Sequence, residues 1–129
     1  MSTKLFIFVA FFKSALFKQR LHFSVPYSLV IENLCFLLYQ EGLILSFKIV
    51  QRDQDKRILI FLRSFGGQSS LKNIVVLFKP SSAQYVSYND LAQLRHKRTV
   101  LVVSTNKGFL TGEGCLQNKV GGTVLVACF

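Results

Sequence analysis

Five consecutive small or polar residues follow directly on an apolar stretch at 100–103; they are Ser104, Thr105, Asn106, Lys107 and Gly108. Short hydroxyl and amide side chains both donate and accept hydrogen bonds, so they can bind base edges and ribose 2′-hydroxyls, and the Lys107 ammonium can bind a phosphate. Gly108 can adopt the positive φ that turns the chain back. On composition alone, a plain polar hairpin turn is the more common explanation of such a stretch.

Two further segments carry groups suited to the same chemistry. Gly121 and Gly122 open the last apolar stretch, where the lack of a side chain allows either an RNA backbone or another protein backbone to approach closely, or marks a bulge. Lys79 can contact a phosphate, and Tyr85 offers a flat ring or a phenol to a nucleotide. The structural alternative for this second segment is a loop whose tyrosine packs against the core.

The charge of the chain favours a polyanionic partner. The chain has 129 residues, and its 16 Lys and Arg outnumber its 6 Asp and Glu, which gives a formal net charge of +10. Basic residues cluster near the amino terminus at Lys13, Lys18 and Arg20, and again at 95–98. Such an excess on a chain that is half hydrophobic predicts binding to nucleic acid or to an anionic membrane surface.

Catalytic and metal-binding classes lack the residues that they need. None of the six carboxylates stands with a histidine in an acid–base pattern, and no phosphate-binding glycine-rich motif occurs. Ser104, His96 and Asp90 could form a triad only on paper, since no nucleophile-elbow sequence surrounds the serine. The three cysteines are scattered, so Cys35 and Cys128 are predicted as core residues rather than zinc ligands. We therefore predict no enzyme activity, metal, cofactor or small-molecule substrate.

Membrane crossing is also disfavoured. The apolar run at 5–12 has eight residues between Lys4 and Lys13, whereas a spanning helix needs about twenty. We predict that this run is a folded part of the mature protein and not a signal or transit peptide. A helix that lies on an anionic leaflet is the remaining membrane alternative.

The hydrophobic pattern predicts an α+β fold in two small lobes. Apolar residues recur at helical spacing over 5–16 and 28–40, and Ser28 and Gly42 are suited to cap the second helix. Alternation predicts strands at 21–25, 45–49 and 58–62 in the first lobe. The second lobe is predicted to be mostly β, with strands at 71–78, 85–88, 100–103 and 123–129 and a turn at 113–118. The glycine- and serine-rich segment at 65–70 places the boundary between lobes 1–66 and 67–129.

Several of these motifs resemble those of the ribosomal protein eight family of the small ribosomal subunit. The stretch at 104–111, S-T-N-K-G-F-L-T, and the later Gly121-Gly122 are similar to the family's carboxy-terminal signature S-T-x-x-G-x-x-T and terminal G-G. Lys79-Pro80 with Tyr85 is similar to its K-P-G-x-x-x-Y element, and V-P-Y-S at 25–28 to its V-P-x-S. The resemblance extends from the first helix to the last residue.

The resemblance implies a non-enzymatic structural protein of the small ribosomal subunit. Its members have an α/β lobe followed by a β lobe and bind the central domain of small-subunit rRNA beside other ribosomal proteins. It implies RNA contacts at Ser104, Thr105, Asn106 and Gly108, and at Lys79, Tyr85, Gly121 and Gly122.

The chain departs from the family pattern in both halves, also at Ser81, Gly114-Cys115 and Thr123, and the departures near the amino terminus affect the expected RNA contacts most. The family's R-N-A reads Lys13-Ser14-Ala15, which loses a guanidinium fork, and the usual lysine after V-P-x-S is Leu29. Together with the 13 phenylalanines, this divergence suggests a mitochondrial ribosome as the location, ahead of a plastid or bacterial one. The alternative function that stays open is a basic peripheral membrane-surface protein anchored by its Phe-rich first helix.

Overall fold

The structure is a computed structural model that describes residues 2–65, 68–69, 73–76, 85–87, 89–90 and 100–128. The chain forms two compact units, Thr3–Asn73 and Ile74–Phe129, which we call the N-terminal and C-terminal units. Both contain helix and antiparallel sheet, so the predicted α+β class is confirmed.

The N-terminal unit has two helices and a three-stranded antiparallel sheet in the order β1-β3-β2. Its elements are α1 (Ser2–Phe17), β1 (His22–Pro26), α2 (Leu29–Gln40), β2 (Ile44–Arg52), β3 (Asp55–Leu62), β4 (Ser64–Phe65) and β5 (Gln68–Ser69). The last two strands pair with each other on either side of residues 66 and 67, where the sequence predicted a lobe boundary.

An aromatic cluster joins α1 to one face of this sheet. Phe8 and Phe12, one turn apart on α1, are fully buried, and their rings lie 6.3 and 5.2 Å from the ring of Phe23 on β1. Leu5 and Val9 complete the buried stripe that the helical spacing predicted. Because this stripe lies in the core, α1 is an integral part of the unit.

Helix α2 begins and ends at the predicted residues. Gly42 adopts a φ of +74° and its N–H donates to the carbonyl of Tyr39, while the Leu43 N–H donates to that of Leu38, which is the Schellman arrangement. At the start, Ser28 occupies the N-cap position with an extended backbone, but its side chain makes no capping hydrogen bond. Its carbonyl accepts the Glu32 N–H at 2.9 Å.

The C-terminal unit is built on a five-stranded antiparallel sheet. Its elements are β6 (Ile74–Val76), β7 (Tyr85–Val86), β8 (Val100–Thr105), β9 (Gly108–Thr111), α3 (Gly112–Asn118) and β10 (Gly122–Cys128). β10 lies between β8 on one edge and β6 and β7 on the other, and β8 also pairs with β9.

Two local predictions for this unit need correction. Residues 113–118, predicted as a turn, belong to helix α3, which Thr111 caps by accepting the Gly114 N–H on its Oγ1 at 3.0 Å. The strand β9 was not predicted, because its four residues follow the hairpin turn without a long alternating pattern. Buried Cys115 anchors α3 against Val103 of β8, which is why this short glycine-containing segment is helical.

The cysteines lie in the core. Cys35 and Cys128 are buried as predicted, and so is Cys115. Burial raises the pKa of Cys35 and of Cys128 to about 12, and it also raises the pKa of Cys115. Within the described ranges, no group of His, Cys, Asp or Glu is arranged to hold a metal ion. No helix in that part of the chain is both long and apolar enough to span a bilayer.

Candidate nucleic-acid interface

An open cleft of about 580 Å³ lies in the C-terminal unit where β8 ends and β10 begins. We call it the strand-end cleft. Its lining residues are Tyr85, Ser87, Ser104, Thr105, Asn106, Lys119, Val120, Gly121 and Gly122. The fold thus brings together six of the residues singled out from the sequence, although they come from three separate segments of the chain.

The hairpin between β8 and β9 fixes one wall of the cleft. Thr105 pairs with Gly108, and the Thr105 hydroxyl both donates to the Gly108 carbonyl at 2.8 Å and accepts the Lys107 N–H at 3.1 Å. Gly108 has a φ of +100°, the positive value expected from the sequence. Asn106 and Lys107 therefore occupy the tip of a cross-braced turn and are exposed. The stretch is a polar hairpin turn that also borders the cleft.

The glycine pair allows neighbouring backbone to approach the floor of the cleft. A Cβ on Gly121 would overlap the carbonyl oxygen of Val86 and lie 2.9 Å from the Tyr85 hydroxyl. A Cβ on Gly122 would overlap the carbonyl oxygen of Ser104. The protein's own packing therefore requires both glycines. The backbone that approaches them closely is that of β7 and β8, which is one of the alternatives considered from the sequence.

Helix α3 delivers a cation to the cleft. The helix ends in a Schellman motif in which the Lys119 N–H donates to the Leu116 carbonyl and the Val120 N–H to the Cys115 carbonyl. Lys119 holds the left-handed conformation of that motif, with a φ of +55°. This conformation usually favours glycine, so a lysine here costs backbone energy, and Lys119 is exposed and lines the cleft.

Tyr85 lies on the β7 side of the cleft, across β10 from Ser104 of β8. It pairs with Thr123 at the start of β10, and 71 % of its surface is exposed. Its ring is therefore not packed into the core. The structural alternative that the sequence left open for Tyr85, packing against the core, does not apply. An exposed ring beside hydroxyl, amide and ammonium groups can stack on a base.

The other predicted residues lie elsewhere. Lys13, Lys18 and Arg20 are exposed at the end of α1 and beyond it, in the N-terminal unit. Lys79 and the basic segment 95–98 are outside the described residues. Lys107 and Gly108 belong to the hairpin but do not line the cleft.

Sequence reasoning missed Ser87, Lys119 and Val120 as lining residues. Lys119 carried a usable signal, since it is two residues before the glycine pair that was singled out. Ser87 had none, because only the pairing of β7 with β10 brings it to the cleft. Among the residues described as lining the cleft, none is acidic, so its only formal charge is positive.

Comparison with known proteins gives the family. A family model described as "Ribosomal protein S8" matches residues 8–129. The small ribosomal subunit protein uS8 of Buchnera aphidicola subsp. Cinara cedri is 28 % identical over 109 residues, which cover 84 % of this chain and 83 % of that protein. The uS8 protein of Ruthia magnifica subsp. Calyptogena magnifica is 26 % identical over 117 residues, covering 91 % and 89 % of the two chains. Since the family model covers nearly the whole sequence, this chain belongs to the ribosomal protein S8 family.

Proposed function

We propose that this chain is a structural constituent of the small ribosomal subunit and binds the central domain of small-subunit rRNA through the strand-end cleft. The observation that carries the proposal is the convergence of Ser104, Thr105 and Asn106 with Lys119 and the exposed ring of Tyr85 around one cleft. The hydroxyl and amide side chains recognise the shape of the folded RNA and hydrogen-bond to its 2′-hydroxyls and bases at short range. The lysines neutralise its phosphates.

The overall charge supports an RNA partner. A net charge of +10 attracts the phosphate backbone at long range, and no acidic residue among the described lining repels it. Family membership supports the ribosomal setting, since the curated relatives are named as small ribosomal subunit proteins. Neighbouring ribosomal proteins are the partners that we expect for the remaining surface.

Binding to defined RNA fragments tests the proposal. The full chain is titrated with a central-domain fragment and with a fragment of equal length from another rRNA domain, at several salt concentrations. We expect specific binding to the central-domain fragment, and we expect Asn106→Ala to weaken it by about tenfold. Asn33→Ala, at an exposed position on α2, is the matched control and should leave affinity unchanged. Equal affinity for the two fragments would contradict the proposal.

We infer a mitochondrial ribosome as the location, on the grounds of the altered amino-terminal family motifs and the abundance of phenylalanine. Fractionation of the source cells tests this inference. Co-sedimentation with the mitochondrial small subunit at high salt is the expected result. Recovery with a plastid or a bacterial small subunit would overturn it.

A second candidate function is supported by the outer side of α1. Phe6 and Phe11 are 44 % and 45 % exposed, and Phe17 is 89 % exposed, close to Lys13 and Lys18. Such a surface can lie on an anionic leaflet. Co-sedimentation with anionic phospholipid vesicles tests it. A membrane function predicts vesicle binding that Phe6→Ser and Phe11→Ser abolish and that Phe36→Ser on α2 does not.

A further inference from the structure

The N-terminal sheet has one buried face and one open face. Phe23, Ile58 and Ile60 point to the core, where α1 and α2 pack. The alternate residues point to the other side and are all exposed or half-buried. We call this second side the open sheet face; it includes His22, Ser24, Lys48, Arg57, Leu59 and Phe61.

An aromatic ring lies at one end of this face on the central strand. Phe61 of β3 pairs with His22 of β1, and the two ring centroids are 5.9 Å apart with an angle of 32° between the rings. The ammonium of Lys48 on β2 lies 5.9 Å from the centroid of the Phe61 ring. The ammonium lies over this half-buried ring, so a base that stacks on Phe61 takes its place there while the displaced cation neutralises the phosphate.

A second cation is held rigidly on the same face. The Nε of Arg57 donates to the Ser24 hydroxyl at 3.2 Å, and its Nη2 donates to the Ser24 carbonyl at 3.4 Å. These bonds fix the guanidinium across β1 and β3. The guanidinium therefore occupies a defined position four residues along β3 from Phe61, available to a phosphate.

The charge of the face selects the partner. Its charged side chains are Lys48, Arg52 and Arg57, against one acid, Asp55, which lies opposite Arg52 in the strand register at the hairpin end. An aromatic ring with one cation over it and further cations along the same face complements a polyanion that carries flat bases, whereas this charge disfavours a basic protein surface.

We propose that the open sheet face binds an unpaired RNA segment, with a base stacked on Phe61 and phosphates on Lys48 and Arg57. This is a second RNA surface, in a different unit from the strand-end cleft. It rests on the proposed function in that both surfaces bind the same rRNA.

Affinity measurements test the proposal on the full chain. Phe61→Leu keeps an apolar side chain on the half-buried site but removes the ring, and we expect it to weaken binding of a central-domain rRNA fragment by about tenfold. The matched control is Phe36→Leu, at an exposed phenylalanine of α2, which should leave affinity unchanged. An unchanged affinity for Phe61→Leu, with Asn106→Ala still weakened, would overturn this proposal and leave the proposed function intact.

Directed hydroxyl-radical cleavage gives an independent reading. An iron chelate on Ser46→Cys, whose position pairs with Phe61, should cleave unpaired nucleotides of the bound fragment. A chelate on Asn33→Cys of α2, on the other side of the sheet, should not cleave the same nucleotides. The native cysteines are buried, so the label goes to the introduced thiol. Absence of cleavage from Ser46→Cys, or loss of subunit incorporation by Phe61→Leu at normal RNA affinity, would assign the face to something other than RNA.

Discussion

The hydroxyl of Thr105 donates a 2.8 Å hydrogen bond to the carbonyl oxygen of Gly108, across the turn that joins β8 to β9. The same hydroxyl accepts the Lys107 N–H, so one side chain braces the tip of the hairpin twice. Ser104, the preceding residue, lines the strand-end cleft. Thr105 lines the cleft too, so two tasks meet in this pair of hydroxyls: bracing the hairpin, which Thr105 performs, and bordering the cleft, which both residues perform.

Alanine substitutions separate the two tasks. Thr105→Ala removes both hydrogen bonds of the brace and should lower the free energy of unfolding by about 1 kcal/mol. Ser104→Ala should leave that free energy nearly unchanged and cost roughly 1–3 kcal/mol of RNA binding, with little change in the salt dependence. Chemical denaturation and RNA titration at several salt concentrations measure the two effects. Equal losses of stability in both variants would contradict this division.

The left-handed lysine gives a second prediction. Lys119→Gly relieves the cost of a φ of +55° and should stabilise the protein by about 1 kcal/mol, while RNA binding weakens and the salt slope falls by about one. A stabilising change that impairs binding is not expected from a purely structural residue.

Gln19 is a matched control for Lys119. It ends α1 in the same motif, with a φ of +54°. Its N–H donates to the Leu16 carbonyl, and the Arg20 N–H donates to the Ala15 carbonyl. Gln19→Gly should stabilise by a similar amount without altering RNA affinity or its salt slope. If both variants weaken binding equally, Lys119 has no direct role in the cleft.

The glycine pair gives a third prediction. Gly122→Ala forces a Cβ into the Ser104 carbonyl and to within 2.9 Å of a Val103 methyl, so β8 and β10 must move apart. We expect a loss of at least about 2 kcal/mol in stability, with weaker RNA binding as a consequence. Gly112→Ala is the control, because the nearest atom that its Cβ would meet across the fold is the Leu101 Cβ, at an ordinary contact distance of 3.7 Å. Thermal unfolding of the two variants measures the difference, and similar midpoints would refute the close approach.

Much of the N-terminal unit could be predicted because its elements are long enough to show a period. The stripe of Leu5, Phe8, Val9 and Phe12 has helical spacing, and Gly42 marks the end of α2. The C-terminal unit was harder, since β9 and α3 have four and seven residues and depend on tertiary packing around Cys115.

The candidate site was predictable only in part for the same reason. Hydrogen-bonding residue types at 104–108 and the glycine pair are visible in the sequence. The meeting of β7, β8 and β10 is not, and it is this meeting that adds Ser87. The open sheet face was equally hidden, because the pairing of His22 with Phe61 joins residues far apart in the chain.

The buried thiols predict loss of stability at high pH. Burial raises the pKa of Cys35 and Cys128 to about 12, above the ordinary 9.0. The unfolded chain therefore loses these protons first, so stability is full below pH 9 and decreases as the pH rises from 9 towards 12. Each thiol should contribute a loss of about 1 kcal/mol between pH 9 and pH 10.

Denaturation over this pH range, compared with Cys35→Ala, measures the thiol contribution. The variant loses stability at all pH values from the missing packing, but its decrease between pH 9 and 10 should be shallower than that of the original chain. An identical decrease would mean that Cys35 ionises as freely in the folded protein as in the unfolded one.

Amide chemical shifts of the full chain in solution test whether the strand-end cleft binds rRNA. A central-domain rRNA fragment is added stepwise, and the backbone signals around the cleft are followed. We predict that the amides of Ser104, Asn106, Gly121 and Gly122 show some of the largest shifts, saturating with the binding curve. Saturated binding that leaves these four signals in place would contradict the account.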